Sequence, residues 1–264
     1  VIPAAAVVDA VRPDTALVAL MLVNNELGTL QPVAEVTRAL RAAGKRGPHV
    51  HCDAVQAAGF VPLDPAALGV DSLALSAHKL HGPRGAGALW LRPGAKVAPL
   101  WDGGRQEKGL RSGTENLAAL AGFAAAARHA LAVDDRARVA GLRAALEAAI
   151  AAAVPEARPT IPTATPRAPH IASVLLPELP AEPLLHALES RGVFASAGSA
   201  CASRNRAQSH VLRALGVPEN AAVLRFSFSR LSRDDEPAAA AAALRAAVDE
   251  VAPFATPLRR SRAR

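Results

Sequence analysis

Tyrosine is absent from this 264-residue chain, which has only six Phe, two Trp and one Met. With Ala and Arg in excess, this scarcity reads as coding bias and carries little functional information. Cysteine is nearly absent as well. Cys52 and Cys201 lie far apart and form no Cys-x-x-Cys motif, which argues against a disulfide framework or a structural zinc site and sets a cytoplasmic location as the expectation. No run of 18 or more apolar residues occurs without charges or turns, so no transmembrane helix is expected. The start, Val-Ile-Pro-Ala-Ala-Ala, has no basic region ahead of an apolar core and does not read as a signal peptide; it also lacks an initiator Met.

Half of the chain is apolar, so a sizeable core is available, and the length suits one large domain or two modest ones. The net charge of +7 is carried mostly by Arg residues scattered through Ala-rich helical segments. Their one cluster is the tail Arg259 to Arg264, which reads as a solvated end. Neither a nucleic acid nor a membrane is an expected partner.

Strand and helix patterns alternate. Leu17 to Val23 is a continuous apolar run suited to a buried parallel strand, and Pro32 to Gly44 reads as a helix. Short strands are expected at His49–Cys52, Ser72–Leu75 and Ala88–Leu91, with a helical link over Pro65–Leu68. Polar residues gather after the strand ends, the pattern of an α/β layer whose ligand sits outside the carboxyl ends of its strands. Gly103 to Asn116 is a glycine-rich charged loop. Two helices follow, Leu117–Leu131 and one opening at Asp134-Asp135 with Val139, Leu142, Leu146 and Ile150 on one face. Five prolines between Pro155 and Pro169 predict an irregular connection. Strands at Ile171–Leu176 and Val223–Ser229 and a helix at Leu184–Arg191 make a second α/β layer. Ser232 and Asp235 have the spacing of a capping box for a last helix ending near Val251. The expected domains are residues 1–132 and 133–264.

Chemistry concentrates in a few places. Lys79 follows a strand end in Ser76-Ala-His78-Lys79, ahead of Gly82-Pro-Arg-Gly85-Ala-Gly87. This suits a Schiff-base lysine for pyridoxal phosphate, with Ser76 and His78 as phosphate donors and glycines admitting the cofactor; a strand-loop-strand with a surface lysine is the alternative. Asp53 ends another strand and offers a carboxylate to the ring nitrogen, or else caps a short helix over Ala54–Ala58. Gln56 and Asn25 can reach the ring's phenolic oxygen. Cys201 sits among small residues in Ser196-Ala-Gly198-Ser199-Ala-Cys201-Ala-Ser203, either as an accessible nucleophile or as one more small residue. Cys52, within a strand, reads as a buried inert thiol. Arg225 alternates with apolar neighbours in Val223-Leu-Arg225-Phe-Ser-Phe and needs an anion, either a substrate carboxylate or a structural partner.

These motifs occur in one order: Asn24-Asn25-Glu26-x-Gly28-x-x-Gln31, His51-x-Asp53-Ala-x-Gln56, Ser76-x-His78-Lys79-x-x-Gly82-Pro83-x-Gly85-x-Gly87, Gly103-Gly104-x-Gln106-Glu107-x-Gly109-x-Arg111-Ser112-Gly113-Thr114-x-Asn116, and Gly198-Ser199-Ala-Cys201-x-Ser203. In this the chain resembles the class V aminotransferase family, and within it the cysteine desulfurases of the NifS/IscS type. The resemblance implies a fold type I, mostly parallel α/β large domain, N-terminally truncated, and a smaller C-terminal α/β domain. It implies pyridoxal 5'-phosphate on Lys79, with Asp53 at the pyridinium, Asn25 and Gln56 at the phenolic oxygen, and Ser76 and His78 at the phosphate. Lys79, His78 and Cys201 would be catalytic. Thr114 would act in the neighbouring subunit of a homodimer, and Arg225, with Asn25, would bind the substrate. L-cysteine would yield L-alanine and a persulfide on Cys201, destined for an acceptor protein such as an iron-sulfur scaffold or a tRNA-thiolation enzyme. The family's upstream phosphate loop and ring-stacking His have no counterpart here, so the chain as written is expected to retain cofactor weakly. An aminotransferase or selenocysteine lyase of the same fold, or a non-catalytic dimerising module, are the competing readings.

Overall fold

The computed structural model describes residues 1–45, 47–198 and 208–254. Its elements run α1 (Ala4–Ala10), β1 (Leu17–Met21), α2 (Val33–Ala42), β2 (His49–Asp53), α3 (Pro65–Leu68), β3 (Ser72–Ser76), β4 (Gly87–Leu91), α4 (Leu117–Ala132), α5 (Arg136–Ala153), β5 (Arg158–Pro159), β6 (Ile171–Leu176), α6 (Ala181–Glu189), β7 (Ser196–Ala197), α7 (His210–Ala214), β8 (Ala222–Ser227) and α8 (Glu236–Val251). By contacts the chain divides into two units. The first comprises Val1–Asn24 and Leu30–Asp134; the second comprises Asn25–Thr29 and the chain from Asp135 onward.

The first unit is built on a sheet of order β1-β2-β3-β4. β1, β2 and β3 are parallel, because α2 and α3 return the chain to the same edge between them, whereas β3 and β4 form an antiparallel pair. The pleat sorts the side chains. Val18, Val50, Cys52 and Leu73 point to one face and are buried, while Leu17 and Met21 on the opposite face are exposed. Val33, Val36, Thr37 and Leu40 form the buried stripe of α2 at helical spacing. The Thr37 hydroxyl donates to the carbonyl of Leu68, 2.7 Å away, tying α2 to α3.

The second unit carries an antiparallel sheet of order β5-β6-β8-β7. Every residue of β6 is buried, and α5 and α8 pack against each other. The apolar stripe expected on α5 is the buried one: Val139, Leu142, Leu146 and Ile150. Leu146 and Leu244 are fully buried, so truncating either to Ala costs about 2–5 kcal/mol.

Three local expectations are corrected. The proline-rich connection contains strand β5, with Arg158 opposite Leu175 and Pro159 opposite Val174. Proline is tolerated there because an edge residue need not donate into the sheet. The capping box at Ser232 and Asp235 does not form. Ser232 Oγ instead accepts from the Ser229 amide, and the Asp235 carboxylate pairs with Arg233. Ala54 to Ala58 is a turn, not a short helix. Among the described residues no single helix is long and apolar enough to cross a membrane.

Candidate functional site

Lys79 belongs to a one-turn 3-10 segment, Ala77–Leu80, entered directly from the end of β3. Two of its four residues anchor it. Ala77 and Leu80 are buried in an apolar cluster with Ala58, Phe123 and Ala126, so α4 holds the turn from behind. This leaves His78 exposed and Lys79 half-buried on the outer side. His81, in the left-handed region at φ 63°, closes the turn. Ser76 Oγ and His78 Nδ1 are hydrogen-bonded at 2.7 Å, so hydroxyl and imidazole are presented as a pair.

The glycines of this motif serve the chain's own packing. A Cβ on Gly82 would stand 2.9 Å from the carbonyl oxygen of Ala77, and one on Gly87 would stand 2.8 Å from that of Leu75. The close approach that the sequence suggested for a cofactor is in both cases made by the protein's own backbone. Gly85, at φ 83° with open space around it, supplies the reversal between β3 and β4.

Asp53 ends β2, the strand beside β3, so Asp53 and Ser76 lie at the carboxyl ends of adjacent parallel strands. The backbone is pinned on both sides: Leu22 N donates to the Asp53 carbonyl at 2.9 Å, and Ala54 N donates to that of Ala74 at 3.1 Å. Asp53 Oδ1 accepts from Val55 N at 2.9 Å, an Asx turn in place of a helix cap. Gln56 follows, half-buried, in the same turn. A carboxylate, a hydroxyl-imidazole pair and an amine thus occur on one set of strand ends. This donor set matches an aromatic aldehyde phosphate with a basic ring nitrogen.

Thr114 lies exposed in the loop before α4, whose first turn is capped by Asn116 Oδ1 accepting from Ala119 N at 3.1 Å. The glycine-rich loop holds a 3-10 turn, Gln106–Gly109, with Glu107 and Lys108 both at positive φ. Gln106 Oε1 accepts from Gly113 N at 3.2 Å and so closes the loop on itself.

In the second unit, Arg225 sits half-buried on β8 and donates from Nη1 to the backbone carbonyl of Asn25 at 2.5 Å. Burial pushes the guanidinium pKa down, opposed by the nearby charge of Glu26. Glu26, itself only 4% exposed, is thus the nearby acidic group whose charge acts on Arg225. Cys201, Ser199 and Ser203 lie outside the described residues. Cys52 is fully buried, and burial, reinforced by Asp53, pushes its thiol up to about 12.

One constellation was not anticipated. Ser72 Oγ, almost fully buried on β3, lies 2.7 Å from His49 Nε2 and 2.8 Å from His51 Nδ1. The i, i+2 spacing of His49 and His51 on β2 was the available signal, but only strand register brings Ser72 between them. A cleft of about 570 Å³ is lined by Arg41, Lys45, His49, Asp71, Arg92 and Lys96 among others; it lies at the amino ends of β2 and β3 and contains none of the anticipated site residues.

Residues 2–236 match the family described as aminotransferase class-V. A cysteine desulfurase of Enterobacter agglomerans is 41% identical over 231 residues, covering 86% of this chain and 57% of that protein. The cysteine desulfurase NifS of Azotobacter vinelandii is 41% identical over 229 residues, covering 84% and 56%. A solved NifS-like protein superposes with a TM-score of 0.82 at 30% identity, covering 95% of this chain and 66% of the other. The chain thus spans a little over half the length of the curated relatives it matches. Its fold is that of the pyridoxal phosphate enzymes of fold type I, and with the family match reaching from its second residue to the start of α8, the chain belongs to the class V aminotransferases.

Proposed function

We propose that the protein acts as a pyridoxal phosphate-dependent cysteine desulfurase, converting L-cysteine to L-alanine and leaving the sulfur as a persulfide on Cys201. The observation that carries this reading is the placement of Asp53 and Ser76-Ala-His78-Lys79 at the carboxyl ends of two adjacent parallel strands, in a chain about 40% identical to named cysteine desulfurases. Lys79 would hold the cofactor covalently through its amine. Ser76 and His78 would hold the phosphate, and Asp53, whose second oxygen accepts no hydrogen bond among the described residues, would hold the ring nitrogen. Gln56 and Asn25 would meet the phenolic oxygen. When bound, the cofactor supplies an electron-withdrawing ring that stabilises negative charge at the substrate α-carbon. A carboxylate at the ring nitrogen keeps that nitrogen protonated, which is the condition for this effect.

Arg225, with Asn25, would orient the substrate carboxylate. The chain has two thiols, and the burial of Cys52 removes one from consideration. Burial holds its thiol far above the ordinary range, at about 12, so it stays protonated at neutral pH, and no solvent reaches it. By its resemblance to the cysteine loop of the desulfurases, Cys201 would be the group that attacks the substrate sulfur. The S–S bond forms as the C–S bond breaks, and the electron pair left on carbon takes a proton to complete alanine.

A homodimer is part of the proposal, with Thr114 serving the neighbouring subunit's phosphate. Its support is the set of exposed apolar side chains along the same stretch, Leu100, Trp101, Leu110 and Leu117, which a monomer would leave in water. The persulfide would pass to an acceptor protein for iron-sulfur cluster assembly or tRNA thiolation in the cytoplasm. Cys201→Ser is the test. Relative to the unsubstituted protein, the variant is expected to keep as much of the visible absorbance of bound cofactor and to lose the release of sulfide from L-cysteine. Unchanged sulfide release would overturn the reading, whereas transfer of the amino group to a keto acid by the wild type would favour an aminotransferase.

A further inference from the structure

Asn25–Thr29 lies between β1 and α2 in sequence, yet it packs as part of the second unit. Four independent contacts hold it there. Arg225 Nη1 donates to the Asn25 carbonyl, 2.5 Å away. Leu27 is buried in an apolar cluster with Ile161, Leu175, Leu212 and Val223. The carbonyl of Gly28 accepts from Ala168 N at 2.8 Å, and Thr29 forms an antiparallel bridge with Arg167. Their other sides are fixed in turn. Arg143 Nη1 donates to the Ala168 carbonyl at 2.8 Å, and Arg167 is paired with Glu147 at 2.6 Å.

Gly28 is the point at which this arrangement is least tolerant. Its φ of +75° is a conformation that an L side chain adopts at a cost, and an added Cβ would stand 2.8 Å from Cβ of Ile171 and 3.1 Å from its Cγ2. Ile171 is a fully buried residue of β6 and has no room to yield. The segment can therefore lie flat on the second unit only with glycine at this position.

We infer that Gly28 and Arg225 are positioning residues for Asn25: one permits and the other clamps the strap that makes Asn25 part of the second unit. The inference rests on the reading above, in which Asn25 meets the cofactor's phenolic oxygen and Arg225 the substrate carboxylate. Under it, those two contacts belong to one mechanical piece, and loosening the strap displaces the Asn25 amide.

The amide of Ala168 is a built-in reporter, since its acceptor is the strap itself. Hydrogen exchange at Ala168 and the visible absorbance of the cofactor-loaded protein, without substrate, would be compared in the wild type, Gly28→Ala and Arg225→Lys. Arg225→Lys introduces no clash and so covers the case in which Gly28→Ala fails to fold. Arg138→Ala, which breaks an exposed pair with Asp234 in the same unit, is the control. Ala168 is expected to exchange at least about tenfold faster in both strap variants, equivalent to about 1.4 kcal/mol of local stability, with a shifted cofactor band and no change in the control. Wild-type protection of Ala168 in a folded strap variant would overturn the inference. A loosened amide with an unmoved band would overturn the positioning of Asn25. Failure of the desulfurase reading itself is seen separately, as wild-type sulfide release by Cys201→Ser.

Discussion

The turn after β3 and the strap at Asn25–Thr29 carry chemistry in opposite ways. The turn is contiguous: Ser76, His78 and Lys79 lie within four residues, and its internal hydrogen bond joins side chains two apart in sequence. The strap is assembled from distant parts, its main clamp joining residues 200 apart. A local device keeps its geometry wherever its own short stretch folds. An assembled one exists only when the whole second unit is in place, so damage at Glu147, Ile171 or Ala168 reaches Asn25 without touching it. Under the proposed function, the turn would hold the cofactor through Ser76, His78 and Lys79, and the strap would carry Asn25.

The sharpest way to break this comparison is at the turn. Lys79→Ala is expected to abolish the visible absorbance of the cofactor and all turnover of cysteine, while the melting temperature changes little because Ala77 and Leu80 still anchor the segment. Absorbance and calorimetry on the purified variant check both halves. Asp53→Asn is the next largest effect. It keeps the acceptor for Val55 N but removes the charge that the proposed function assigns to the ring nitrogen. Turnover is expected to fall about 10²–10³-fold with folding intact, the scale seen when one preorganised electrostatic contact is lost. Steady-state kinetics beside a melting curve distinguishes this from unfolding.

At the strap the order reverses, with stability affected first. Gly28→Ala is expected to cost about 1–3 kcal/mol through overpacking against Ile171 and the positive φ, read as a lower denaturant midpoint at unchanged slope. The corresponding Gly85→Ala in the turn, also at positive φ but in open space, should cost about 1 kcal/mol, and equal losses at the two sites would dissolve the contrast.

A further effect concerns Cys52 and is a matter of pH. Its folded pKa, about 12, lies above the ordinary thiol value, so above roughly pH 9 the unfolded chain gives up a proton that the folded chain retains. The unfolded state then binds fewer protons, and stability falls as pH rises through that window. Cys52→Ala should flatten this alkaline decline relative to the wild type and leave sulfide release intact at neutral pH. Melting curves from pH 8 to 11 check the first part.

Much of the fold was legible because its signals are local. The strands of the first unit were bracketed within a residue or two by apolar runs ending in polar residues, and the buried stripe of α5 was read from its 3.6-residue period. The expectations that failed were those that depend on neighbours. Strand β5 exists because β6 offers an open edge to Arg158 and Pro159. The capping box at Ser232 gave way because Arg233 competes for Asp235. Helix α7, with Ser209 accepting from Val211 N, is a five-residue helix too short for periodicity to announce.

The sequence by itself determined the site's inventory: an amine, a carboxylate, a hydroxyl and an imidazole placed just after strand ends, because a parallel α/β layer exposes functional side chains only there. It also determined which thiol is inert, since Cys52 alternates into a buried strand face. The tertiary structure decided ownership and constraint. Register alone set Ser72 between His49 and His51. Packing against Ile171 explains Gly28, and the chain's own carbonyls explain Gly82 and Gly87. The assignment of Asn25–Thr29 to the second unit rests on contacts with residues 140 or more positions away at Ala168 and Arg225. No local pattern encodes such contacts, because each is fixed by a backbone that exists only once both partners have folded.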